Sequence, residues 1–178
     1  MTTDEDLMLA CRGGSAEAFE ELFGRYRERV WGYFRRRLND RGRAEELAQE
    51  AFVAVLEGAS RYERRALFRS YLYGIAFNLL SAERRQRRRR GTEPLDEELA
   101  VVPAASADNG LWVKRALGGL DPQDREIVLL REYEQLSYAE IAGVLGLPLN
   151  TVRSRLFRAR GELRRLLLPE AESRGSHP

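Results

Sequence analysis

The chain has 178 residues, of which 43% are hydrophobic and 33% charged, and its net charge at neutral pH is +2. This composition allows buried cores and excludes a disordered chain, and the length allows one ordinary domain or two small ones. The longest apolar runs fall far short of the roughly 20 residues that a bilayer-spanning helix needs, and the acidic N-terminus is unlike a signal peptide. The single cysteine, Cys11, excludes an internal disulfide. These features predict a cytoplasmic protein without membrane insertion.

The charged residues are unevenly distributed along the chain. Residues 61–90 contain ten arginines and two glutamates, and residues 150–165 contain six arginines and one glutamate. Between these blocks, residues 91–108 contain five acidic residues and no basic one. Two separate basic blocks predict two surfaces that face a polyanion, and the alternative is a pair of solvated charged faces.

The first half of the chain is predicted to be helical. Apolar residues recur at the three-four spacing of a buried helix face over residues 15–38, 43–56 and 68–79. The second of these helices has an acidic and polar face opposite its apolar one, formed by Glu45, Glu46, Gln49 and Glu50. Such a face suits a basic partner helix, although a merely solvated face has the same composition.

Residues 91–110 lack periodicity and contain two prolines, which predicts a flexible linker and a domain boundary. We therefore predict an all-α protein of two small helical domains joined by this linker. The first domain covers residues 1–90 and the second covers residues 111–168, with a tail at 169–178. In the second domain, Asp121 followed by Pro122 is a helix start signal.

Residues 137–163 have the pattern of a helix-turn-helix. Ser137 and Glu140 form a capping box, and Gly146 supplies the left-handed conformation that ends a short helix. Pro148 prevents that helix from continuing, and Asn150 is expected to cap the next one.

The second helix of this motif has one apolar and one basic face. Its exposed residues are predicted to contact DNA, and they are Asn150, Thr151, Arg153, Ser154, Arg155, Phe157 and Arg158. A recognition helix enters the major groove in this way, where Arg pairs with guanine and Ser serves a phosphate or a base edge. The alternative is an ordinary helical hairpin with a basic solvated face.

Four segments together resemble the extracytoplasmic-function sigma factors, the smallest members of the sigma-70 family. They are residues 44–52 (AEELAQEAF), 70–78 (SYLYGIAFN), 136–142 (LSYAEIA) and 151–160 (TVRSRLFRAR). The resemblance covers roughly residues 5–168 and includes two motif sets in the family's order.

The resemblance implies a function for each segment. The 44–52 helix would dock on the β′ clamp helices of core RNA polymerase through Glu45, Glu46, Gln49 and Glu50, and the β flap would be a further contact. The −10 promoter element would be bound by Tyr62, Arg64, Arg65, Asn78, Arg84 and Arg85, with Asn78 beside a base turned out of the stack. The C-terminal helix would bind the −35 element. An anti-sigma factor is implied as a further partner.

Three residues depart from the family pattern. The family usually has Trp at the position of Tyr71 and Arg at that of Gly74, and it commonly has an acidic residue at that of Arg43. A glycine within a helix costs about 1 kcal/mol relative to alanine, so a bend or a close contact is expected at Gly74.

Two other classes of function fit the sequence less well. A stand-alone helix-turn-helix regulator would explain the second half of the chain but not the 43–56 helix or the basic block at 61–90. An enzyme is not expected, because the one histidine, His177, lies in a polar tail and Cys11 has no metal-ligand companion. No glycine-rich phosphate loop is present, so neither a cofactor nor a metal is predicted.

Overall fold

The computed structural model describes residues 2–64, 67–91 and 107–168, and every regular element within them is helical, which confirms the predicted all-α class. The elements are α1 (Asp4–Arg12), α2 (Ala16–Arg37), α3 (Arg41–Gly58), one 3-10 turn (Ala59–Arg61), α4 (Phe68–Arg90), α5 (Ala107–Gly118), α6 (Pro122–Glu132), α7 (Tyr138–Leu145) and α8 (Leu149–Leu167). No helix in these ranges is both long and apolar enough to cross a membrane.

Helix α2 is the centre of the N-terminal helices, α1–α4. The hydroxyl of Ser15 accepts a hydrogen bond from the backbone N–H of Ala18, which fixes the start of the helix. Its buried face, represented by Leu22, Val30 and Phe34, packs mainly on α1 and α3, and α3 in turn packs on α4. The apolar spacing along residues 15–38 therefore predicted this helix correctly.

Helix α1 was not predicted, although its sequence carries a cap signal. The Thr3 hydroxyl accepts from the N–H of Asp6, and the acidic first turn is favoured by the helix dipole. Asp4 accepts a hydrogen bond from the hydroxyl of Tyr26 on α2, and a Glu5 oxygen accepts from the N–H of Phe68 at 3.0 Å. Helix α1 therefore fixes the first residue of α4 relative to α2.

The C-terminal helices, α5–α8, contain the predicted helix-turn-helix. Both hydrogen bonds of the Ser137–Glu140 capping box are present, and Gly146 ends α7 with φ +63°. The prediction that Asn150 caps α8 is wrong, because the helix begins one residue earlier, at Leu149. The carbonyl of Pro148 accepts from two N–H groups of the first turn, so Pro148 occupies the cap position.

The predicted linker and tail lie mostly outside the described residues, which exclude 92–106 and 169–178. Helix α4 ends at Arg90 and is followed by Gly91 with φ +67°. Helix α5 already begins at Ala107, so the last four residues assigned to the 91–110 linker are helical instead.

The N-terminal and C-terminal helices contact each other extensively. Helix α7 packs along α4, and the end of α2 reaches α6 and the turn that joins α6 to α7. The backbones come close, because a Cβ built on Gly143 would lie 3.6 Å from the Cβ of Ser70.

Candidate nucleic-acid interface

The exposed face of α8 carries four of the residues predicted to contact DNA. Arg153, Ser154, Phe157 and Arg158 are all exposed. Phe157 has 81% of its surface accessible. Opposite them, Val152, Leu156 and Ala159 are buried against the neighbouring helices. The helix is therefore held by its apolar side and presents guanidinium groups and one aromatic ring outward.

Arg155 is placed differently from the other predicted residues on α8. Its Nη1 lies 2.7 Å from an Asp124 oxygen and 3.5 Å from an Asp121 oxygen, both near the start of α6. Arg160 makes a similar ion pair with Glu132 at 2.8 Å. These two arginines join α8 to α6, which orients the exposed face.

The first turn of α8 makes local polar contacts. The exposed Asn150 accepts a hydrogen bond from Arg153 at 3.4 Å. Ser154 donates its hydroxyl to the carbonyl of the half-buried Thr151 at 3.1 Å. Ser154 must rotate away from this carbonyl before it can donate to a phosphate, because a phosphate only accepts.

The residues predicted for the −10 element differ in how exposed their side chains are. Asn78 is exposed on α4. Tyr62 is only 2% exposed and packs edge-on against Tyr71, with the ring centroids 5.2 Å apart. Burial raises the pKa of Tyr62 to about 12. The Tyr62 ring is therefore buried beneath Tyr71 and has no exposed face on which a base could stack.

The arginines predicted for the −10 element lie in different parts of the structure. The exposed Arg64 makes an ion pair with Asp6 at 2.9 Å, and Arg65 lies outside the described residues. Arg84 and Arg85 line a cleft of about 380 Å³ where α4 faces α6, together with Arg88 and Arg125. This cleft is strongly basic, as a site for phosphate groups would be.

The acidic face predicted on α3 is exposed at all four positions, Glu45, Glu46, Gln49 and Glu50. Two of its carboxylates already have a partner, because Nη1 of Arg43 lies 2.9 Å from Glu46 and 2.8 Å from Glu50. Arg43 departs from the family pattern, and its pairs with Glu46 and Glu50 were not predicted from the sequence.

Glu45 and Gln49 border an apolar groove that was not predicted from the sequence. The groove encloses about 350 Å³ between α2 and α3, and its walls include Phe23, Trp31 and Phe52. Phe23 and Phe52 pack edge-on with centroids 4.9 Å apart. The signal in the sequence was the pair of large apolar residues Phe23 and Trp31 on α2, of which the first stays exposed and the second half-buried.

In the part of the chain that the structure describes, no three His, Cys, Asp or Glu side chains are arranged to hold a metal ion. His177 lies outside the described residues. Burial raises the pKa of the Cys11 thiol, which keeps it protonated and a weak nucleophile.

Comparison with known proteins identifies the family. Residues 22–90 match the family described as Sigma-70 region 2, and residues 110–163 match Sigma-70, region 4. The RNA polymerase sigma factor CarQ of Myxococcus xanthus is 34% identical, over 88% of this chain and 92% of its own length. The ECF RNA polymerase sigma factor SigM of Mycobacterium tuberculosis is 30% identical, over 93% of this chain and 85% of its own.

A solved structure supports the same assignment. The structure of CnrH in complex with the cytosolic domain of CnrY superposes with a TM-score of 0.72 at 26% identity, covering 96% of this chain and 99% of that one. Members of the family are transcription initiation factors and not enzymes. The chain belongs to the sigma-70 family, within its extracytoplasmic-function group.

Proposed function

We propose that this cytoplasmic sigma factor binds core RNA polymerase through α3 and holds a promoter at two points, with residues 1–90 on the −10 element and residues 111–168 on the −35 element. The observation that carries the proposal is the outward cluster of Arg153, Ser154, Phe157 and Arg158 on α8, in the segment that matches region 4. Residues 91–106, between α4 and α5, would join the two points, with the gain of tethered binding.

At the −35 element, the two exposed arginines of α8 would carry the sequence readout. Arg153 and Arg158 can each donate two hydrogen bonds to the O6 and N7 atoms of a guanine in the major groove. Phe157 offers an apolar surface for the methyl group of a thymine. Asn150, Thr151 and Ser154 would hold the neighbouring phosphates, which fix the register of the helix.

At the −10 element, α4 would supply both readout and phosphate contacts. Asn78 can hydrogen-bond the edge of a base that has left the stack, an edge that a duplex conceals. Arg84 and Arg85, with Arg64 and Arg65, would neutralise the backbone, which adds affinity that falls with salt.

Core polymerase would dock on the acidic face of α3. Glu45 is the strongest candidate for a charged contact, because Arg43 pairs with Glu46 and Glu50. The β′ clamp helices and the β flap are the expected partners on the polymerase. CnrH forms a complex with the cytosolic domain of CnrY, and an anti-sigma factor is the corresponding partner that we propose here.

Two single variants separate the proposed surfaces. Glu45→Lys should weaken binding to core polymerase and leave binding of the isolated chain to a −35 duplex unchanged. Arg158→Ala should weaken binding to the −35 duplex and leave binding to core polymerase unchanged. Both bindings are measured by fluorescence anisotropy, and run-off transcription with core polymerase on a promoter library identifies the site. Failure of the parent chain to bind core polymerase would contradict the proposal, and binding of duplex alone would favour a stand-alone regulator.

A further inference from the structure

Glu5 of α1 caps helix α4 from outside that helix. The first N–H groups of a helix have no partner within it, and Leu67 at the cap position has an apolar side chain that cannot accept from them. An oxygen of Glu5 accepts from the N–H of Phe68 at 3.0 Å instead. The carboxylate also carries the charge that a helix N-terminus favours. We call the residues that lead into α4, 62–64 and 67–68, the entry segment.

Two more side chains of α1 contact the entry segment. An Oδ atom of Asp6 lies 2.9 Å from Nη2 of Arg64, whose side chain stays exposed. Nη1 of Arg12 donates to the carbonyl of Tyr62 at 3.5 Å. One helix therefore holds both described parts of the entry segment.

Helix α1 is itself fixed to α2. Leu7 and Met8 are buried in the core of the N-terminal helices. Asp4 accepts from the hydroxyl of Tyr26, and an oxygen of Asp4 lies 2.5 Å from Nη1 of Arg25. The three contacts with the entry segment therefore start from a helix that is anchored on its other side.

The entry segment lies at one end of the face of α4 that carries Asn78. Tyr62 packs edge-on against Tyr71, with the ring centroids 5.2 Å apart. Tyr71 and Asn78 are two helical turns apart, so they share one face and are separated by about 10 Å along the axis. The Tyr71 hydroxyl has little freedom, because it fills the space where a Cβ on Gly58 would lie. The shape of the entry segment therefore determines how one end of the Asn78 face is built.

A base that leaves the stack needs a surface that is already in place. Extruding the base costs free energy, which the protein recovers through its contacts with that base. A segment that must first become ordered loses part of this gain to its own conformational entropy. Contacts that fix the segment before DNA arrives therefore raise the affinity for the correct base, although α1 does not touch it.

We propose that Glu5, Asp6 and Arg12 are positioning residues for the −10 element, which hold the entry segment in the shape that receives an unstacked base. Glu5 has the largest effect, because it fixes the start of α4 as well as the segment. Asp6 acts through Arg64, and Arg12 acts through the backbone of Tyr62. The inference rests on the proposed function, because it assumes that α4 binds the −10 strand.

Substitution of Glu5 tests the cap in the complete holoenzyme. The probe is a labelled single strand with the −10 element found by run-off transcription, compared with strands in which each base is replaced in turn. We expect Glu5→Ala to weaken binding of the cognate strand about five- to ten-fold and to leave binding of the strand without the captured base unchanged. Glu5→Gln should recover most of the loss, because its amide oxygen can still accept from Phe68. Fluorescence anisotropy gives the ratio of the two affinities, which a mere loss of folded protein does not alter.

The matched control is Glu21→Ala, which removes a carboxylate of α2 that pairs with Arg25. This variant should keep the parental ratio of affinities. A parental ratio in Glu5→Ala, or equal losses in Glu5→Ala and Glu21→Ala, would overturn the inference. A parent holoenzyme that does not distinguish the strands would contradict the proposed function itself.

A double-mutant cycle tests Asp6 without disturbing the core, because the side chains of Asp6 and Arg64 are both exposed. Asp6→Ala should weaken binding of the cognate strand about two- to three-fold in the parent. It should have no further effect in an Arg64→Ala background, since Asp6 acts only through Arg64. An affinity that rises in Asp6→Ala would show that Asp6 competes with phosphate for Arg64. That result, or equal effects of Asp6→Ala in both backgrounds, would overturn the inference.

Discussion

The Nε of Arg43 lies 2.9 Å from an Oε atom of Glu83, and this ion pair joins the start of α3 to α4. The same guanidinium reaches Glu46 and Glu50 through Nη1. One arginine therefore connects the face proposed for polymerase to the helix proposed for the −10 element. It also pairs with two of the three carboxylates of the acidic face, at a position where the family commonly has an acidic residue.

Replacing Arg43 should strengthen the interaction with polymerase. In Arg43→Ala the carboxylates of Glu46 and Glu50 lose their internal partner and become available to a basic partner helix. We expect the Kd for core polymerase to fall by about two- to five-fold, or about 0.4–1 kcal/mol. The free energy of unfolding should fall by no more than about 1 kcal/mol, because the Arg43 pairs are partly exposed. Fluorescence anisotropy and urea denaturation measure the two effects.

The matched control for Arg43 is Arg160→Ala, which removes an arginine of the same charge from the α8–α6 pair with Glu132. This variant should leave the affinity for core polymerase at the parental value. Equal affinities for the parent and Arg43→Ala would show that Glu46 and Glu50 do not contact the polymerase.

The ion pairs of Glu83 predict a loss of stability in acid. Burial raises the pKa of Glu83, but hydrogen bonds from Arg87 and Arg43 outweigh it and lower the pKa below its ordinary value of 4.5. A carboxyl whose pKa is lowered by folding stabilises the protein above its unfolded pKa, and that contribution is lost as the pH falls through its folded pKa. We expect Glu83→Gln to lower the Tm at pH 7, and the deficit to shrink as the pH is lowered to about 3. Scanning calorimetry between pH 7 and about 3 measures this difference in Tm between the variant and the parent. The control is Glu20→Gln, which changes an exposed carboxyl. A Tm deficit that stays constant over this pH range would contradict the lowered pKa of Glu83.

The sequence predicted the ends of helices correctly where capping hydrogen bonds join residues that are close in the chain. The capping box at Ser137 and Glu140 and the Asp121 cap involve groups within three residues of each other, so residue type and spacing determine them. The start of α8 was missed by one residue, because Pro148 occupies the N-cap position and no side chain caps the helix there, so no capping residue marks its start.

The roles of individual arginines could not be derived from the sequence. Arg153 and Arg155 lie two residues apart on a basic helix, yet one is exposed and the other is held by Asp124 from a different helix. Arg37 is an even stronger case, since its partner Glu126 lies 89 residues further along the chain. Contacts of this kind depend on how the helices pack, which the pattern of one helix does not contain.

The position of the Tyr71 side chain leaves room only for a glycine at residue 58. A Cβ at Gly58 would lie 2.1 Å from the Tyr71 hydroxyl oxygen and 3.4 Å from the Cζ atom of its ring. Gly58→Ala should therefore displace the tyrosine and lower the free energy of unfolding by about 1–3 kcal/mol, measured by urea denaturation. Adding Tyr71→Phe removes the clashing oxygen and should recover most of this loss. Equal losses in the single and double variants would show that another contact is responsible.

The arginines of α8 should divide into two functional classes. Arg153→Ala and Arg158→Ala remove exposed guanidinium groups, and each should cost about 1–3 kcal/mol of affinity at the −35 duplex if it pairs with a guanine. Neither should change the Tm, because neither side chain packs against a neighbouring helix. Arg155→Ala removes the pairs with Asp124 and Asp121, and it should lower stability by about 1 kcal/mol. Anisotropy titrations and thermal unfolding of the same samples measure both properties.

A scrambled duplex distinguishes base contacts from phosphate contacts in these variants. Loss of a guanine contact lowers the affinity for the cognate duplex only. Loss of a phosphate contact lowers the affinity for both duplexes equally and also reduces the salt dependence of binding. We expect Arg153→Ala and Arg158→Ala to approach the parent's affinity for scrambled DNA. Because Arg155 faces α6, its variant should bind both duplexes nearly as well as the parent at temperatures below its melting transition. A sequence-specific loss in Arg155→Ala would mean that this side chain leaves Asp124 when DNA binds.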